Sequence, residues 1–278
     1  MFNPFKIVSF CAILALNASL SAQPVIDLYL KLQIPASRGV SFSNIEETYE
    51  ILNPQGGTTK YSVVQRYNPA GKIISEVKYN SAGGIQHEIS WEYSGNGNPV
   101  RKFMRQFINY KGWVTEEDMF KYNDTTGYLS DIQVFYGGKL GLSAQVISDS
   151  TGKTSEVNIY NEKGVFIGIE RLVYVPASNS VRVLSYRSNE QFVGSTNYPI
   201  DPAKPYSKPS GVLELYPNGD TMVEVADASK PDQGYFYEYK YDSGGNWTEK
   251  LAYRCKITSN NRAKGKELEY KVTRKIAY

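Results

Sequence analysis

Few side chains in this sequence could do chemistry. There is one histidine, His87, and there are two cysteines, Cys11 and Cys255. A nucleophile pair would have to join Cys255 to His87, yet each sits within an apolar stripe, where a packed structural role is the plainer reading. So few imidazoles and thiols write no zinc spacing. No EF-hand loop or tandem nonapeptide is present for calcium, and no glycine motif opens a helix for phosphate. No cofactor or metal is expected. Glu116, Glu117 and Asp118, beside Trp113, form the tightest acidic group, where a carboxylate pair for glycoside hydrolysis would be sought. Solvated strand charges are the plain alternative. Trp91, Trp113, Tyr235, Tyr237, Tyr239 and Trp247 could stack on sugar rings if they are exposed beside polar groups.

These residues would be positioned by a repeated unit. Tyr, then Asn or Asp, then Gly recurs as YNPAG at 67–71, YNSAG at 79–83, YSGNG at 93–97, YNEKG at 160–164 and YDSGG at 241–245. YNDTTG from Tyr122 is a looser copy, and SDSTG at 148–152 keeps the frame without its Tyr. Adjacent copies start 12 or 14 residues apart, the length of one strand plus one turn. Tyr closes a strand, Asn or Asp opens a turn, and Gly supplies positive φ. Successive hairpins then form a meander.

Alternation supports strands. Ile85, His87, Ile89, Trp91 and Tyr93 share one face, against Gln86, Glu88, Ser90 and Glu92. Tyr235, Tyr237, Tyr239 and Tyr241 share another. Trp247, Leu251, Tyr253, Cys255 and Ile257 read as one stripe, with Thr248, Lys250, Ala252, Arg254 and Lys256 opposite. The 23 tyrosines, against 11 Phe and 3 Trp, suit a sheet with many half-exposed positions. The fold expected is all-β: an extended, twisted antiparallel meander of repeated hairpins.

Residues 1–22 read as an export signal: Lys6, an apolar core from Ile7 to Leu16, and small residues before a cut after Ala22, with a cut after Ser21 the competitor. Cys11 lies inside that core and lacks the small preceding residue of a lipoprotein cysteine. No later apolar run is long enough to span a bilayer, and removal of the signal leaves Cys255 without a disulfide partner. Residues 23–60 carry no clean cassette; 61–196 and 212–278 are repeat blocks. Between them, 197–211 holds four prolines, too many for a central strand. Charge is near balance, 31 Lys plus Arg against 28 Asp plus Glu, with no sustained basic face, so nucleic acid is not an expected partner.

YDSGGNW at 241–247, YNPAGKI at 67–73 and YNEKGVF at 160–166 resemble the YD repeats of RHS-type bacterial proteins. The closing YDSGGNWTEKLAYR and TRKIAY resemble the ends of small exported YD-like proteins of bacterial envelopes. The resemblance covers roughly 61–175 and 212–278 and implies long antiparallel sheets. In the large toxins such sheets curl into a shell around cargo. This chain is too short for that shell and lacks the long RHS core sequence, so the cargo role is not carried over.

The function expected is a non-catalytic structural or interaction module of the bacterial envelope or surface, located in the periplasm, on the cell surface or outside the cell. Its partner would be a protein or a surface glycan, and open sheet edges offer a route to oligomers. Two other readings stay open: carbohydrate binding through exposed Tyr and Trp, and a carboxylate-dependent hydrolase.

Overall fold

The computed structural model describes residues 25–32, 43–53, 56–201, 211–227 and 229–278. The proposed signal at 1–22 and most of the proline-rich stretch, 202–210, lie outside them. A short helix, α1 (Asp27–Leu32), precedes the strands. In chain order these are β1 (Asn44–Leu52), β2 (Thr58–Tyr67), β3 (Ile73–Tyr79), β4 (Ile85–Tyr93), β5 (Pro99–Ile108) and β6 (Gly112–Tyr122). Next come β7 (Leu129–Tyr136), β8 (Lys139–Ser148), β9 (Thr154–Asn161), β10 (Phe166–Val175), β11 (Ser180–Arg187) and β12 (Phe192–Pro199). The last group is β13 (Val212–Leu215), β14 (Thr221–Val225), β15 (Gln233–Tyr241), β16 (Trp247–Ile257) and β17 (Ala263–Ala277). Together they form one open antiparallel sheet of 17 strands, the hairpin meander expected from the repeats.

The hairpins explain why. In most cassettes the Asn or Asp side chain accepts backbone N–H bonds from two and four residues on: Asn68 from Ala70 and Lys72, Asn161 from Lys163 and Val165, Asp242 from Gly244 and Asn246; Asn123 of the looser copy accepts from Thr125 and Thr126. The cassette glycine then donates its N–H back to that residue's carbonyl, as Gly71 does to Asn68 at 2.8 Å. Gly164 and Gly245 have φ of 75° and 78°, a region that costs an L-residue about 1–2 kcal/mol. A Cβ added to Gly245 would meet nothing within 4 Å, so its constraint is purely backbone. Gly245→Ala should therefore cost about 1 kcal/mol in urea denaturation and Gly245→Asn less, because Asn tolerates this conformation. Equal stability of all three would refute the assignment.

A further regularity is the bulge. The residue that starts a cassette pairs with the residue six positions later, as in Tyr67↔Ile73, Tyr93↔Pro99 and Tyr241↔Trp247. The register then slips by one, leaving Ile74, Val100 and Thr248 unpaired. Cassette tyrosines also lock the preceding strand. The Tyr93 hydroxyl donates to the Ile73 carbonyl at 2.8 Å and that of Tyr122 to the Pro99 carbonyl at 2.7 Å.

The meander is not laid out from β1 at one edge to β17 at the other. β1 pairs with β2 on one side and with β17 on the other, both antiparallel. The edges are therefore β12 and β13, which are sequence neighbours joined by no pairing among the described residues. Stepping through antiparallel pairs, β12 and β13 both run opposite to β1, so they point the same way. Reversal at every turn fails only there. Of the non-repeat segment, β1 lies inside the sheet, and Glu46 to Leu52 is strand. Asn197, Tyr198 and Pro199 close β12, so the interruption begins after them.

One face of the sheet is covered along β6–β12; the other is mostly wet, apart from a buried patch of Val223, Cys255 and Ile257. On the covered face of β6–β12 lie Phe120, Ile132, Ala144, Val157, Ile159, Val181 and Val183, all buried. Val25, Ile26 and Tyr29 pack on them, with Ile26 fully buried. Burial of such an aliphatic side chain stabilises by about 1.5–3 kcal/mol. Glu170 on β10 anchors the segment, accepting the Val25 N–H at 2.5 Å and the Ile26 N–H at 3.1 Å. The Tyr198 hydroxyl donates to buried Asp27. The opposite face carries ion pairs: Arg101 with Glu92 and Glu117, Arg105 with Glu88, Lys60 with Glu50, and Lys271 with Glu249. Such exposed pairs add about 0–1 kcal/mol each.

Candidate functional site

The other half of the covered face, on β14–β17 and β1–β6, is polar and aromatic. Its geometry follows from the bulge at Thr248. Simple alternation puts Trp247 in the Leu251–Cys255 stripe and Lys250 opposite. The extra residue moves Trp247 across, so Trp247, Lys250 and Ala252 share the face with Tyr237 and Tyr239, while Leu251 and Cys255 face the other way. The stripe reading is corrected for Trp247, which leaves the Leu251–Cys255 stripe; Lys250 stays opposite that stripe, as alternation has it. The same device separates Ile85 from His87, because the register slips between Lys78 and Tyr79.

Tyr235, Tyr237, Tyr239 and Tyr241 run along β15 with ring centroids 6.1, 6.4 and 6.1 Å apart, and Trp247 stands 6.3 Å from Tyr239. Four of the six proposed stacking aromatics, Tyr235, Tyr237, Tyr239 and Trp247, are thus brought together. Trp91 lies on the same face farther along, on β4. Trp113 is on the opposite face, 44 % exposed, packed edge-on to Phe107 with Arg105 over its ring at 4.9 Å. Tyr237 is buried and its hydroxyl donates to Glu224; the others of the group are half-buried.

Cations sit among these rings. Lys250 Nζ lies 5.4, 5.7 and 5.8 Å from the centroids of Tyr237, Trp247 and Tyr270. Arg274 stacks 3.5 Å over Trp247 and bonds Glu47 through Nε at 3.0 Å. Lys78 stands 4.2 Å over Tyr61, which stacks on Tyr49 at 4.5 Å. Burial, reinforced by Glu47, holds the Tyr49 hydroxyl well above the usual phenol range. Burial pulls the Lys250 ammonium below its ordinary value, with Glu47 and Glu224 only partly opposing.

The acidic group resolves into two sites. Glu117 faces out and bonds Arg101 at 2.5 Å. Glu116 and Asp118 face in, and both take Lys102, at 3.2 and 3.0 Å. Lys102 is 8 % and Asp118 2 % exposed. Burial pushes the Asp118 carboxyl up to about 6 despite Lys102. Lys102 bridges the two carboxylates, so both are engaged by one cation and neither is set up as the acid partner of the other. His87 stands nearby on β4, its imidazole held below the usual range by burial and by Lys102. Its Nε2, like Trp91 Nε1, is buried without a protein hydrogen-bond partner. Cys255 is buried on the opposite face, against Val223 and Ile257, so His87 and Cys255 do not meet. No group of three or more potential metal ligands occurs among the described residues.

Alternation did not reveal Lys250, Arg274, Lys102 or Glu170 as inward residues. The signal available for Glu170 was a lone acid within the apolar run Phe166–Val175. For Lys250 it was the cassette immediately before it, whose bulge puts Trp247 on the same face as Lys250.

No family model and no curated protein matches the chain. Among solved structures, a porin-like protein from Bacteroides uniformis is similar with a TM-score of 0.43 and 13 % identity, over 84 % of this chain and 97 % of that one. TcdB2–TccC3 is similar with a TM-score of 0.28 and 11 % identity, over 78 % of this chain; the match spans only 16 % of the TcdB2–TccC3 chain. No helix among the described residues is long and apolar enough to cross a membrane.

Proposed function

We propose that the protein is an exported, non-catalytic β-repeat module of the bacterial envelope, one that works by presenting a broad sheet to a partner. The observation that supports this is the engagement of the inward carboxylates. Glu47 is held by Arg274 and Tyr49, Glu116 and Asp118 by Lys102, Glu170 by two backbone amides, and Glu224 by Tyr237. They build the sheet and face no shared cleft. The YD-repeat relationship belongs to the same reading, carried by the cassette turns. Capture from an envelope extract on immobilised protein should recover a saturable partner. Turnover of glycosides that disappears in Glu116→Gln or Asp118→Asn would overturn the reading in favour of a hydrolase.

A second reading, carbohydrate binding, is favoured by one specific feature: the ring row of Tyr235, Tyr237, Tyr239 and Trp247 beside polar groups. Rings in that arrangement suit the apolar face of a sugar. A neutral-glycan array on the protein tests it. Binding weakened by Trp247→Ala supports it, and absence of binding removes it.

A further inference from the structure

We propose that the ring cluster of Tyr237, Tyr239, Trp247 and Tyr270 around Lys250 is a binding site for an acidic saccharide, in which the Lys250 ammonium takes the ligand's carboxylate and the rings take the sugar plane. This rests on the sugar-binding reading and gives it a chemical class.

The argument begins with how cations are treated on the two faces. Outward cations find carboxylates: Lys60 has Glu50 at 2.7 Å, and Lys240 and Lys271 share Glu249 at 2.7 Å each; on the inner face Arg254, opposite Tyr235, has Glu269 at 2.9 Å. Lys250 is more buried than any of these, yet no carboxylate lies within 4 Å of its Nζ among the described residues. Its surroundings are aromatic, on three sides. Cation–π contact compensates part of the lost hydration, but less than a carboxylate would at the same depth.

The neighbouring acids are committed elsewhere. Glu47 accepts both Arg274 Nε at 3.0 Å and Nη2 at 2.5 Å on Oε1, and the Tyr49 hydroxyl on Oε2. Glu224 accepts from Tyr237, and Asp220 from Tyr241. Lys250 is left with donors that none of these acids takes up. Three donors on a flexible stem suit a carboxylate arriving from solution. The rings supply what a bare anion would not use. Trp247, Tyr239 and Tyr235 are half-buried, so each keeps part of its surface toward water. A charge beside flat apolar rings matches a pyranose that carries a carboxylate, and it disfavours the neutral sugar, which leaves the ammonium unpaired.

A titration compares two probes on the full protein: oligogalacturonate, and the same oligosaccharide with its carboxyls methyl-esterified, followed by calorimetry and by Trp fluorescence. The acidic form is expected to bind at least about tenfold tighter than the ester, and added salt should weaken the acidic form alone. Lys250→Met keeps the stem among the rings and should erase the difference, with a melting temperature equal to or above that of the unaltered protein. Lys250→Arg should keep the preference. Equal affinity for acid and ester, or undiminished preference in Lys250→Met, would overturn the anion assignment while leaving the sugar reading intact. Failure of both probes to bind also overturns it, and the neutral-glycan array then decides the broader reading on its own. A lower melting temperature for Lys250→Met with unchanged acid binding would mark Lys250 as structural.

Discussion

Removing residues 259–278 should leave no cooperatively folding protein. β17 is the longest strand, 15 residues, and it pairs along most of its length with β1 on one side and β16 on the other. Val272 at its middle is fully buried. Without β17 the sheet becomes two pieces, β1–β12 and β13–β16, each with a new edge of unpaired amides and carbonyls. The Arg274–Glu47 pair is lost, and Tyr270 leaves the aromatic cluster. A milder version is Val272→Asp, which places an unpaired carboxylate where no water reaches and should cost about 4 kcal/mol or more. Circular dichroism melts and limited proteolysis check both. A truncated chain that still melts sharply near the full-length temperature would show that the β1–β17 pairing does not hold the sheet together.

Acid should strengthen the attachment of the first segment, in contrast to ordinary acid denaturation. Burial pushes the Glu170 carboxyl up to about 7, with Asp27 adding to the effect and the two amide bonds only partly opposing it. In the unfolded chain the same group titrates near 4.3. Between those values the folded state holds more protons than the unfolded state. The contribution is fully present below the unfolded value and is lost as pH rises through about 7. Asp118, pushed up to about 6, acts with the same sign. From Glu170 alone the folded state should lose on the order of 3 kcal/mol between pH 4 and pH 8. The check is urea denaturation across that range with the Glu170→Gln variant beside the parent. The parent should weaken with rising pH, and the variant should show a visibly flatter curve. Identical pH curves for the two proteins would remove Glu170 from the account.

What the residues disclosed beforehand was local. The cassette turns were readable because their bonds join side chain and backbone within four residues, and because a glycine at φ near 75° declares itself by type. Strand identity followed from the spacing of the cassettes. Face assignment was readable only as far as the next bulge, since one extra residue inverts everything after it. That is why Trp247 changes sides and joins Lys250 opposite the Leu251–Cys255 stripe. The aromatic row of β15 was legible because no bulge falls between Tyr235 and Tyr239; its charged company was not, because Lys250, Arg274 and Glu47 come from strands brought together by pairing. Least readable were the contacts that span the chain. Glu47 and Arg274 are 227 residues apart in sequence, and Val25 and Glu170 are 145 apart. Nothing periodic marks either pair, and both decide where the covered face lies.

The position of β17 between β1 and β16 also sets a clock. Synthesis runs from β1 toward β17, so one side of β1 stays unpaired until the other sixteen strands have been made. Neighbouring hairpins can form as they emerge, each closing over a short loop. The step that joins the two arms of the sheet waits for a contact more than two hundred residues long, the slowest kind for a chain to find. Until then the arm β1–β12 is held by its own core on β6–β12, and β13–β16 has no tie to it through β17. The placement of one strand thus separates the time at which the protein is made from the time at which it becomes a rigid body.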